Sequence, residues 1–426
     1  MGDGRISRRD LLRFAGAGGA GLTLGAGGYA AMRGTADARD AGDEAKGLLP
    51  GGSKVPFFGR NQAGIATTQQ EHMHFAALDL VSEDVSEMRD LFRAWSEAGA
   101  RMTEGEPAGE ENYSRFLPPD DTGEAFGLSP ANLTLTFGVG PSFFEKGGED
   151  RFGLAKAMPD ALAPLPPLTG DVLDEVRSDG DLCVQACADD PQVAFHAVRN
   201  LVRISRGLAV VRWSQLGFGR TASTSKTQAT PRNLMGLKDG TANIKAEDTD
   251  LMDRHVWVPD GEEPAWMAGG TYLVARRIRM LIEVWDRVSL AEQEGSIGRH
   301  KYSGAPIGKE DEFDPVDLEA KNEERKLLIS EDAHVRLARQ SEDEKILRRG
   351  YSFTDGFDAE RGQLDAGLFF ISFQRDPRKQ FVPLQQRLAA SDRLNEYIRH
   401  TASALFACPP GAREGGYVGE RLFEGL

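Results

Sequence analysis

The chain has 426 residues, 40% of them hydrophobic and 27% charged, an ordinary globular balance with enough apolar side chain for two or more cores. A formal net charge of −15, with no run of lysine or arginine, lacks the electrostatic footprint of a nucleic-acid binder or of a protein held on an anionic membrane surface, and favours small or cationic partners. The 3 cysteines are too few for a disulfide scaffold, and Cys183 and Cys187 sit in an apolar run as structural thiols.

Taken from its start, the chain opens with Ser7-Arg8-Arg9-Asp10-Leu11-Leu12-Arg13 before a Gly/Ala-rich apolar stretch over residues 14–31, with Ala36-Asp37-Ala38 as a small-residue cleavage site. This pattern predicts a twin-arginine export signal over residues 1–38 and delivery to the periplasm or the outer side of a membrane. The twin-arginine route moves folded proteins, which suits a chain that takes up a cofactor before export. Residues 39–54 are small, polar and Gly-rich, the composition of a linker.

Residues 69–80 read as a strand, and Asp84 caps a helix carrying Met88, Leu91, Phe92 and Trp95 at helical spacing. Residues 133–140 alternate as a strand and 181–188 form another. Pro191 opens a helix with Val193, Phe195, Ala197, Val198 and Leu201, and residues 208–213 close the unit. Strand-helix-strand-strand-helix-strand is the ferredoxin-like order. The second half repeats it in outline: a strand at 272–278, a helix at 282–287, a strongly apolar strand at 368–373 and a helix at 383–393. The expectation is an α+β chain of two ferredoxin-like domains, 55–222 and 223–426, packed sheet to sheet with ligand room between sheet and helices. A charged insertion over residues 295–349 is long enough to be functional.

Two features stand out for chemistry. Gly236-Leu237-Lys238-Asp239-Gly240-Thr241-Ala242-Asn243 holds a carboxylate between glycines, a turn that lets the backbone bring Asp239 close to a partner. Among 7 histidines, His72 and His74 share a strand face without other metal ligands nearby and read as packing, and His196 reads as a satisfied core histidine. His334 differs, because Arg348 and Arg349 follow closely in Ile346-Leu347-Arg348-Arg349-Gly350-Tyr351.

These blocks resemble the dye-decolorising heme peroxidases, and within them the twin-arginine-exported, deferrochelatase-like branch associated with bacterial iron uptake. The shared segments are Pro56-Phe57-Phe58-Gly59-Arg60-Asn61-Gln62, Arg232-Asn233-Leu234-Met235 running into the Asp239 turn, Gly298-Arg299-His300-Lys301 with Gly304-Ala305-Pro306, Ala333-His334-Val335-Arg336-Leu337, and Leu347-Arg348-Arg349-Gly350-Tyr351-Ser352. The family's fold is a duplicated ferredoxin-like, two-part β-barrel-like core with surrounding helices. The resemblance implies heme b with His334 as axial iron ligand, and Asp239 and Arg348, rather than Arg349, on the peroxide side. An imidazole ligand needs an acceptor on its other nitrogen, for which Asp376 is the expectation. Asp239 would move a proton of hydrogen peroxide and the fixed positive fork of Arg348 would stabilise the departing oxygen. Gly240 and Asn243 are expected to line the pocket, Leu368 and Phe370 to pack on heme, and Lys238 and Arg277 to meet its propionates.

The leading expectation is therefore an exported heme peroxidase that oxidises a dye-like or phenolic donor, or ferrous iron, in one-electron steps. A heme-handling protein that releases iron from porphyrin, with iron-uptake permease components as partners, is the alternative; under either reading a homo-oligomer, dimer or larger, is expected. A ferredoxin-like module binding some other small ligand is a third reading, which would show no heme absorption band.

Overall fold

The computed structural model describes residues 53–424 except 111, 112, 263 and 340. The twin-arginine segment, its cleavage site and nearly all of the linker lie outside the described residues.

In the first half, β1 (His72–Leu80) alternates Met73, Phe75 and Ala77 toward one cluster of buried side chains and Ala76, Leu78 and Leu80 toward another. The helix α1 (Val85–Thr103) follows, started by the Asp84 carboxylate accepting from the Ser86 amide at 2.8 Å. Its buried stripe of Met88, Leu91, Phe92, Trp95 and Met102 lies on the sheet. Then come β2 (Thr134–Val139), β3 (Leu182–Ala188), α2 (Pro191–Ile204), capped by Asp190, and β4 (Ala209–Arg220). In α2 the residues Val193, Ala197, Val198 and Leu201 are buried as expected, but Phe195 is 44% exposed.

The second half runs β5 (Thr271–Met280), α3 (Leu290–Ile297), the one-turn helix α4 (His334–Leu337), β6 (Tyr351–Asp358), β7 (Gln363–Gln374), α5 (Phe381–Ser391) and β8 (Ile398–Cys408). Two of these strands, β6 and β8, go beyond the sequence expectation.

Each half arranges its four strands in the same order, β4-β1-β3-β2 and β8-β5-β7-β6. The halves do not stack as separate sheets. Their edges pair instead, β4 with β6 at Phe218 and Ser352, and β2 with β8 at Val139 and Ala407. Joining edge to edge satisfies the amides and carbonyls that two open sheets would leave free, and closes one eight-strand barrel.

A barrel of this size is filled by its own side chains. Here Phe75, Trp213, Leu273, Tyr351, Phe353, Phe369, Ile371 and Phe406 from both halves fill it. Room for a large ligand must therefore lie outside the barrel, under the helices.

Candidate active site

The Asp239 turn is rigid for reasons visible in its backbone. The Asp239 amide donates to the Pro231 carbonyl at 3.0 Å, Arg232 pairs with Lys238 as an isolated bridge, and the Asn233 side chain accepts from the Met235 amide. Gly240 has φ +90°, and a Cβ there would lie 2.9 Å from the Ala222 Cα, so the chain can reverse against Ala222 only as glycine. The Asp239 carboxylate is presented with Oδ2 accepting from Asn233 Nδ2 at 3.2 Å and Oδ1 accepting from Arg348 Nη1 at 2.7 Å.

Strand parity separates Arg348 from Arg349. Residues Leu347 and Arg348 form a two-residue strand against β7, with Arg348 opposite Ser372. Directly opposed residues of an antiparallel pair share a face. Arg348 thus lies on the outer face with Leu368 and Phe370, while Phe369 and Ile371 point into the barrel. Arg349 takes the other side: it is fully buried and donates to the Thr67 carbonyl and the Gln70 side chain. Asn243 locks Arg348 from below, its Oδ1 accepting from the Arg348 amide at 2.8 Å and its Nδ2 donating to the Arg348 carbonyl at 2.8 Å.

His334 begins α4. Its Nδ1 is 2.6 Å from Asp392 Oδ2, and Asp392 is buried with its other oxygen accepting from the Leu394 amide. A third of the His334 side chain is reachable by water. Burial alone would depress its pKa, but the charge and hydrogen bond of Asp392 outweigh burial and raise it; Arg348 and Asp239 are close enough to act on it too. One apolar cluster unites the surroundings: Met235 and Leu237 from the Asp239 turn, Leu394 beside Asp392, and Leu368 from β7.

Several sequence expectations change. Asp376 is not the acceptor for His334; it binds Arg378 Nη2 at 2.9 Å before the first turn of α5. Asp392 follows the last turn, and an 11-residue helix separates the two by about 16 Å. Because α4 lies against the last turns of α5, where Arg387 donates to the Leu337 carbonyl, only Asp392 is within reach. Arg277 stands opposite Phe369 and therefore inside the barrel, where Gln215, Thr401, Asp355 and Asp365 engage it, so it cannot meet a propionate. Lys238 is held by Glu312 of the long insertion, which also accepts from Thr241 at 3.0 Å. Gly240 packs on Ala222, and Asn243 holds Arg348 by its backbone. Leu368 and Phe370 keep the outer face, both half-buried on a strand whose barrel-facing neighbours are buried.

Sequence reasoning missed Asp392 and Glu312. The available signal for Asp392 was its place directly after a helix and two residues before an apolar Leu394, where a carboxylate caps the next turn.

Family profiles match two stretches: "Dyp-type peroxidase, N-terminal" over residues 62–219 and "Dyp-type peroxidase, C-terminal" over residues 230–413. The chain belongs to the Dyp-type peroxidase family. The deferrochelatase of Escherichia coli strain K12 is 40% identical over 377 residues, 87% of each chain. Among solved structures, ferric DtpA from Streptomyces lividans superposes with a TM-score of 0.80 at 44% identity, covering 88% of this chain and 98% of that one. A DyP-type peroxidase from Cellulomonas bogoriensis gives a TM-score of 0.78 at 40% identity, covering 88% and 100%.

As a Dyp-type peroxidase the chain is a heme-dependent oxidoreductase that uses hydrogen peroxide and an electron donor. The residues present fit heme. The His334 Nδ1 is committed to Asp392, which leaves Nε2 without a hydrogen-bond partner among the described residues, on a side chain that is a third exposed. An imidazole whose other ring nitrogen is held by a carboxylate is the donor type that ligates heme iron.

Proposed function

We propose that this Dyp-type peroxidase is exported with heme already bound, holds the heme through His334, and handles peroxide protons through Asp239 beside Arg348. The observation that carries this reading is the Arg348–Asp239 contact of 2.7 Å, with both groups near enough to His334 to act on its charge. When bound, heme iron supplies the centre that takes up peroxide and the capacity to draw single electrons from a donor. The protein's part is positional. Asp239 Oδ2, hydrogen-bonded among the described residues only by Asn233, is the atom that would take a peroxide proton and return it to the other oxygen. Arg348 carries a fixed positive charge toward the oxygen that must leave, and the clamp from Asn243 keeps it there. The apolar wall of Met235, Leu237 and Leu368 limits water around that exchange. Dye-like or phenolic compounds and ferrous iron are the donor classes.

Similarity to deferrochelatases favours a second reading, release of iron from heme into an iron-uptake system outside the cytoplasm. Incubation of the heme-loaded protein with peroxide and a phenolic donor, followed by extraction of the pigment, separates the two. Oxidised donor with iron porphyrin recovered intact supports the peroxidase; metal-free porphyrin fluorescence supports iron release. Export is tested by fusing residues 1–38 to a folded reporter and replacing Arg8 and Arg9 by lysine, which should strand the reporter in the cytoplasm.

A further inference from the structure

A hollow of about 350 Å³ lies on the opposite half of the molecule, on the outer face of the first-half sheet. Its floor comes from β1 and β4, with Ala76 opposite Ser214 and His74 opposite Leu216, and its wall is the helix α2. The volume is at the low end of small-molecule sites, the size for one or two rings. Ordinary packing does not account for three features.

Phe195 occupies a helix position where burial is expected, yet it is 44% exposed and its ring stacks on His74, centroids 5.7 Å apart and planes 12° from parallel. His74 is 7% exposed, and its Nδ1 is buried with no hydrogen-bond partner among the described residues. An unpartnered buried imidazole nitrogen is costly and rare. Above this apolar floor stand Arg199, Arg203 and Arg206. Arg199 is balanced by Glu124 at 3.2 Å and Arg203 donates to the Pro119 carbonyl. Arg206, exposed beyond the end of α2, has no acidic partner among the described residues. In a chain of net charge −15 this is a local cationic rim over a ring-sized apolar slot.

We propose that this groove is a second ligand site, for a small aromatic carboxylate whose ring lies against Phe195 and His74 and whose carboxylate is taken by Arg206 and Arg203. The apolar floor provides burial, the Phe195 face provides stacking, and the guanidinium fork matches a carboxylate in two places. Charge complementarity selects an anion over a neutral ring of the same shape. The site uses none of the residues around His334, so it stands or falls independently of the heme reading.

The test is calorimetric titration of the heme-loaded protein with 2-naphthoate, and with 2-naphthalenemethanol as the uncharged comparison. Saturable binding of one 2-naphthoate per chain is expected, with the alcohol bound at least about tenfold more weakly. Arg206→Gln and Phe195→Ala, both at exposed positions where the fold is undemanding, should each weaken 2-naphthoate by about tenfold without changing heme content. No saturable binding, equal binding of acid and alcohol, or affinity unchanged in both variants would overturn the proposal.

Discussion

The Nδ1 nitrogen of His334 meets Oδ2 of Asp392 at 2.6 Å, a pair separated by 58 positions and brought together by the turn that follows α5. That contact commits Nδ1 and, on the proposed function, leaves Nε2 for heme iron. Asp392→Asn should weaken hemin binding about 10- to 100-fold and shift the visible spectrum, whereas Asp376→Asn should do neither. Hemin titration followed by absorbance reads both variants.

The two adjacent arginines should fail in different ways. Arg348→Ala removes the partner of Asp239 at a part-buried contact that water still reaches, so unfolding free energy should change by only about 1 kcal/mol while peroxide turnover collapses. Arg349→Ala leaves several buried acceptors unpaired around Thr67 and Gln70 and should cost about 3 kcal/mol or more. Denaturant unfolding beside a turnover assay distinguishes them.

Much of this was legible in the sequence, and the failures have physical causes. The first-half elements announced themselves through caps at Asp84 and Pro191 and through apolar spacing. The second half was harder. All ten residues of β5 are buried, so no alternation tells one face from the other, and Arg277 could be assigned to the ligand side when it points into the barrel. In β6 the outer residues from Thr354 onward are polar or exposed and interrupted by Gly356, which shortens the apolar signal. The acceptor for His334 was set by which end of α5 the α4 turn docks on, a tertiary fact that no local pattern encodes.

Glycine chemistry at the Asp239 turn gives a graded comparison. Gly240→Ala combines positive φ with a Cβ 2.9 Å from backbone, so it should destabilise the protein by about 2 kcal/mol or more and lower turnover. Gly147→Ala has φ +66° but nothing within 4 Å, so it should cost about 1 kcal/mol and leave turnover alone. Thermal unfolding of the two variants checks the order.

Acid sensitivity should trace to Asp181. It is fully buried, accepting from the Leu80 amide at 2.8 Å, from Arg151 at 2.7 Å and from Lys146 at 3.2 Å. Burial alone would raise its pKa, but Ser142, the Leu80 amide, Arg151 and Lys146 together hold the carboxyl below its ordinary range. A depressed carboxyl contributes stability above its unfolded value, about pH 4, and that stability is lost as pH falls through the lower folded value. Asp181→Asn should therefore lower the Tm markedly at pH 7 and by less near pH 3. An equal drop at both pH values would count against this assignment.

The decisive experiment is the kcat/KM for hydrogen peroxide, per bound heme, of Asp239→Asn against the unaltered chain. A fall of about 100-fold or more with heme content and visible spectrum retained is predicted, because the amide keeps the shape of the carboxylate but can neither accept a peroxide proton nor carry the charge paired with Arg348. A variant that keeps the unaltered rate per heme would show that peroxide is not activated at Asp239 and would contradict the site described for this chain.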